Sequence, residues 1–179
     1  NLYMPDGRRQ LLDYQKTVDD KIVYILRRMA IYIELEDKTD YTGGCFDELD
    51  AMLVNLKKEA LRYMNNHLIT EDDYYYEYMQ MRARQCVILK RIYADIIRLT
   101  TTPEQGKALA DFIRQTANEF AEQNNVETLL SELERLHHHY EQQQLPVTRQ
   151  EFENRSMLYH ILEDMKAFLD IKKDFITAR

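Results

Sequence analysis

The sequence predicts an all-α domain, an elongated up-and-down antiparallel bundle of about six helices with a four-helix-bundle-like core. Three observations predict it. Only 4 Gly and 3 Pro stand among 179 residues, too few turn formers for an all-β sandwich or for repeated βαβ units. Hydrophobic residues make up 45% and charged residues 31%, enough to fill a core and coat the outer faces of amphipathic helices. Apolar side chains recur at steps of three, four and seven along most of the chain, the period of a helix that buries one face. The length fits a single domain over residues 1–179, with 1–7 as a lead-in to the first helix.

The first helix is expected over 8–34, where Leu11, Val18, Ile22, Ile25, Met29 and Ile33 share a stripe; at 1.5 Å per residue it would be roughly 40 Å long. Lys38 to Gly44 holds the only Gly pair and reads as a loop. A second helix is expected over 47–68, with Asp47 as N-cap and Leu49, Leu53, Leu56, Ala60 and Met64 inward. Thr70-Glu71-Asp72-Asp73 offers a capping hydroxyl and carboxylates where the helix dipole favours negative charge. The third helix starts there and reaches Leu99, with Tyr75, Met79, Cys86, Leu89, Tyr93 and Ile96 on its stripe. Thr102-Pro103-Glu104-Gln105 is a capping pattern with proline at the first helical position, opening a fourth helix to about Glu122. Asn124-Asn125 caps a fifth, carrying Val126, Leu129, Leu133, Leu136 and Tyr140 and stopping at Leu145-Pro146. Thr148-Arg149-Gln150-Glu151 opens the sixth, with Phe152, Tyr159, Leu162, Met165 and Leu169 on its stripe, to about Thr177. Short connections set consecutive helices antiparallel and side by side.

Thirty-one acidic against 24 basic residues give a net charge of −7, which opposes binding to a phosphate backbone, so no nucleic-acid partner is expected. No stretch approaches the roughly 20 apolar residues of a membrane span. Cys45 and Cys86 form no CxxC or metal-finger spacing and read as buried, reduced thiols. Asn1-Leu2-Tyr3-Met4-Pro5 lacks the basic and apolar regions of a signal peptide and reads as the start of a fragment of a longer protein.

Few residues carry a chemical signal. Glu134-Arg135-Leu136-His137 has the Glu-x-x-His spacing of di-iron bundles, but such a site needs it twice, and neither His67 nor His160 has a Glu three places before it. Metal is therefore not expected, Glu134 and His137 being the sole candidates, with Glu141 alongside. In His137-His138-His139 the side chains point about 100° apart and cannot all ligate one ion. The chain has 13 Tyr and no Trp, with a dense run from Tyr74 to Tyr78. Amphipathic tyrosines suit a subunit contact or a ligand cleft; alternatively Tyr75 and Tyr78 are core. Arg82 and Gln85 fall on or beside the apolar stripe of the third helix, where the cation needs a carboxylate partner or, with Arg155 from the last helix, takes an anionic ligand. No nucleophile motif or phosphate loop is present, so neither catalysis nor a cofactor is expected.

Asn124-Asn125, Leu129-Leu130-x-x-Leu133, Leu145-Pro-x-Thr-Arg149-x-Glu-Phe-Glu153-x-Arg155, His160-Ile-Leu162, Asp164, Phe168-Leu169 and Lys172, with the Tyr-rich start of the third helix and Met81-Arg82-x-x-Gln85, resemble the C-terminal domain of the bacterial putative aromatic acid exporters. The block from Leu145 to Phe175 is the most specific part. The resemblance implies a set of membrane helices N-terminal to this domain in the same polypeptide, with residues 1–7 as the juxtamembrane linker and the domain on the cytoplasmic side of the bacterial inner membrane. It also implies an accessory role, in assembly or regulation, in the efflux of aromatic carboxylic acids. It supplies no catalytic or ligand residue. Two mechanisms are compatible with it: self-association into a homo-oligomer through tyrosine-rich faces, or capture of an aromatic carboxylate by Arg82 or Arg155 with tyrosine stacking. A metal-dependent bundle enzyme around Glu134 and His137, and a helical adaptor for a cytosolic partner, are the alternatives.

Overall fold

Six α-helices make up the computed structural model, which describes residues 6–66, 73–100, 104–121 and 126–179: α1 (Asp6–Glu34), α2 (Gly44–Asn66), α3 (Tyr74–Ile96), α4 (Glu104–Asn118), α5 (Val126–Glu141) and α6 (Arg149–Thr177). No strand occurs among the described residues. Asp6 and Gly7, assigned above to the lead-in, already belong to α1. Helix α2 starts at Gly44, so Asp47 sits in its first turn and not at the N-cap. The early start has a local cause: the Phe46 amide bonds the Gly43 carbonyl at 3.0 Å while the Phe46 ring packs edge-on against Tyr93. Helix α3 closes at Ile96, its last carbonyls taken by a turn in which the Arg98 and Leu99 amides bond Asp95 and Ile96. Helices α4 and α5 end at Asn118 and Glu141, a few residues before the expected stops. Thr70 to Asp72, Thr102-Pro103 and Asn124-Asn125, the caps expected for three helices, lie outside the described residues; Asp73 stands at the N-cap of α3 but makes no side-chain capping bond.

Helix α6 opens as its capping pattern predicts. Thr148 has extended backbone and its hydroxyl accepts from the Glu151 amide at 3.1 Å. The Glu151 carboxylate reaches back one residue further than expected, to the Val147 amide at 2.8 Å.

The stripe of α1 is buried throughout, from Leu11 to Ile33. In α6 the stripe runs instead through Leu158, Ile161, Leu162, Met165, Phe168 and Leu169, and Phe152 and Tyr159 lie outside it, exposed. Helical spacing accounts for this. Steps of three and four from Leu158 reach every buried position, whereas Tyr159 sits one residue, about 100°, off that line.

Helices alternate in direction. Gly7 near Tyr63 and the Lys21–Glu48 ion pair set α1 against α2, and the Asp50–Lys90 pair and the Tyr63–Tyr75 contact set α2 against α3. Neighbours in space are nevertheless not always neighbours in sequence. Helix α4 returns to lie along α1, α6 closes against α3, and α5 packs on α4 and α6, while α3 and α4 share no broad contact among the described residues. The side-by-side order expected from short connections therefore fails at α3–α4. Both helices find larger apolar partners elsewhere, and Phe120, just past α4, stacks over Phe168 of α6. Helix α3 is sandwiched between α2, α1 and α6, so it buries more than one stripe and carries polar residues inward.

Candidate functional site

Arg82 heads the large, fully buried side chains among the described residues. Its position on α3 faces Asp19 of α1, and the two form an ion pair from Nε to Oδ1 at 2.8 Å. The other two guanidinium nitrogens are also engaged: Nη2 bonds the Tyr78 hydroxyl at 2.8 Å and Nη1 bonds Gln85 Oε1 at 2.7 Å. Tyr78 donates its own proton to Asp19 Oδ2, and the Gln85 amide donates to the Phe168 carbonyl at 2.9 Å. Phe120 and Tyr78 cover the guanidinium, with ring centres 4.3 and 4.9 Å away. Burial, assisted by Asp19, pushes the Tyr78 hydroxyl well above the ordinary tyrosine range, although Arg82 pulls the other way. The result is one polar cluster from α1, α3 and α6 with nearly every donor and acceptor satisfied internally, which is what a buried cation requires.

Of the ligand candidates named from the sequence, Arg82, Gln85 and Tyr78 are brought together in this cluster. Tyr75 lies one turn away, buried, with its ring edge-on to Tyr63 and Tyr74 at 5.7 and 5.4 Å. Phe175 of α6 completes that aromatic group against Tyr74 and Tyr78. Arg155 does not join them. It sits near the start of α6, donating to the Gln144 carbonyl, and the helix rise of 1.5 Å per residue puts it about 20 Å from Phe168. Asp19, the residue that decides the fate of Arg82, carries no local signal in the sequence.

Glu134 and His137 line a groove of about 660 Å³ between α5 and α6, together with Glu141, Glu163, Lys166 and Lys173. His137 Nε2 lies 2.7 Å from the Tyr159 hydroxyl and its Nδ1 3.4 Å from Glu141. Among the described residues the one gathering of three metal-ligating groups is elsewhere: Asp95 of α3 with His160 and Asp164 of α6, one ligand atom of each within 4.8 Å of the others. His160 and Asp164 stand four apart, a pair readable on one helical face, but Asp95 reaches them only through the α3–α6 packing. Arg91 bonds Asp164 Oδ1 at 2.5 Å.

Cys45 and Cys86 are both free and buried. Burial, with Asp50 close by, pushes the Cys86 thiol up to about 12, which keeps it protonated and unreactive.

Residues 8–173 match the family described as "Putative aromatic acid exporter C-terminal domain". "Uncharacterized protein YqjA" of Bacillus subtilis (strain 168) is 31% identical over 175 residues, covering 98% of this chain and 54% of the relative. The chain thus spans about half the length of that relative. A solved structure titled "Crystal structure of putative membrane protein from Clostridium difficile 630" superposes with a TM-score of 0.81 at 29% identity, over 93% of this chain and 99% of the other.

Proposed function

The chain belongs to the putative aromatic acid exporter C-terminal domain family, and from that premise we propose that it is a non-catalytic accessory domain, on the cytoplasmic side, of a membrane exporter of aromatic carboxylic acids. The single observation that carries this reading is the family match over nearly the whole chain. The length of the relative supports a membrane part in the same polypeptide, since no helix of the described residues is long and apolar enough to cross a membrane. The membrane part would join at the N-terminal end of α1.

Assembly is the role the geometry favours over ligand sensing. A carboxylate ligand for Arg82 would have to displace Asp19 and enter a fully buried site, and Arg155 stands too far away to help. Exposed apolar side chains are gathered instead at Leu145, Val147 and Phe152, where the exposures are 86%, 90% and 60%. They occupy the end of the bundle remote from the α1 N-terminus, because the α6 C-terminus, not its start, reaches the Tyr74–Tyr75 end of α3. A second copy of the domain is the proposed partner of this surface. Sedimentation velocity on the chain at rising concentration should show reversible association, and Phe152→Ser should abolish it with helicity unchanged; a monomer at every concentration overturns the assembly role for this domain. In parallel, calorimetric titration with 4-hydroxybenzoate should give no heat at millimolar ligand, and saturable heat would restore the sensing mechanism.

A further inference from the structure

We infer that Asp95, His160 and Asp164 form a binding site for a divalent first-row transition-metal cation at the seam between α3 and α6, a site independent of the assembly role. The donor set is one imidazole and two carboxylates, borderline ligands that suit Zn²⁺ or Mn²⁺, and three protein ligands leave further positions for water. The ligand atoms lie within 4.8 Å of one another. An ion with donors about 2.1 Å away sets neighbouring donors about 3.0–3.4 Å apart, so the widest pair must close while the His160–Asp95 pair opens. Of the three, His160 has the most room to adjust, its side chain being 61% exposed while Asp95 and Asp164 are buried.

An independent observation points to a cation. Asp164 Oδ2 is buried and has no hydrogen-bond partner among the described residues, although Asp164 as a whole is only 4% exposed. A buried carboxylate oxygen left unbonded is costly, and a bound cation relieves it directly. Arg91 occupies Oδ1 as an outer partner, so Oδ2 is the oxygen left for the ion. Arg91 also brings a positive charge close to the site. Two carboxylates still outweigh it, so a divalent ion enters a locally negative place. On the other side, His160 Nδ1 and Asp95 Oδ2 are 2.5 Å apart, the contact that the ion would open and bridge. Bound there, it would join α6 to α3 through ligands from both helices.

The test is calorimetric titration of the chain, first stripped with a chelator, with ZnCl₂ and with MnCl₂. One ion per chain should bind, with affinity falling at least about tenfold in His160→Ala and in Asp164→Asn. Because His160 lies at the surface, its alanine variant should fold normally by circular dichroism, so the test stands even if Asp164→Asn does not fold. A variant with His137, His138 and His139 all changed to Ala should bind as the parent does. No saturable binding up to millimolar metal, or binding that survives His160→Ala, would overturn the site; loss in the triple variant would move the ion to α5 and overturn it equally.

Discussion

Asp19 and Arg82 show how one long-range pair controls a core. With Arg82 fully buried, removing its carboxylate leaves a cation in an apolar interior with only neutral partners, so Asp19→Ala should lower the unfolding free energy by about 2–4 kcal/mol in urea titration. The tyrosines set a second expectation at this scale. Burial raises Tyr41, Tyr78 and Tyr140 above the ordinary tyrosine range and moves Cys86 from 9.0 to about 12. These groups keep their protons in the folded chain at pH values where the unfolded chain has lost them. The native state then binds more protons, and stability falls as pH rises. Stability contributed by these groups is complete below about pH 8 and is lost progressively above it, Cys86 first and the tyrosines from about pH 9, each fully developed tyrosine adding a slope of about 1.4 kcal/mol per pH unit. Melting temperatures recorded between pH 8 and pH 11 should fall steadily over the upper half of that range, and Tyr78→Phe should flatten the fall; a level profile would contradict the burial of these hydroxyls.

At the scale of an element, the opening of α6 was readable because a capping box is a local pattern whose partners are three residues apart. The Thr148 hydroxyl holds the Glu151 amide, so Thr148→Ala should cost about 1 kcal/mol of stability and Thr148→Ser should restore most of it, measured by denaturant unfolding. The start of α2 was less readable. Gly43-Gly44 looks like a loop from its residues alone, yet the docking of Phe46 on Tyr93 draws the helix back to Gly44. Tertiary contact there overrides local preference. The same contrast separates the two readings of α6's stripe. Leu162, Met165 and Leu169 were recognisable, but Phe152 and Tyr159 were apolar enough to be counted with them and are exposed.

The whole bundle closes through segments far apart in the chain, α1 with α4 and α3 with α6. Ending the chain before Arg149 would strip a cover from α3 and leave Tyr78, Gln85 and Asp95 without the partners that α6 supplies. Circular dichroism of such a truncation should show helix without a sharp thermal transition; a cooperative melt near that of the full chain would mean that α3 does not depend on α6. The sequence by itself determined an all-helical domain, the order of its six helices and most of their inward faces, because periodicity and capping act over a few neighbouring residues. Only the tertiary structure decided that Arg82 meets Asp19 and is fully buried, that Arg155 stands apart from it, and that Asp95 gathers with His160 and Asp164. Those meetings depend on which helix packs beside which, and that choice is made by the fit of side chains on helices separated by dozens of residues, where no local pattern reaches.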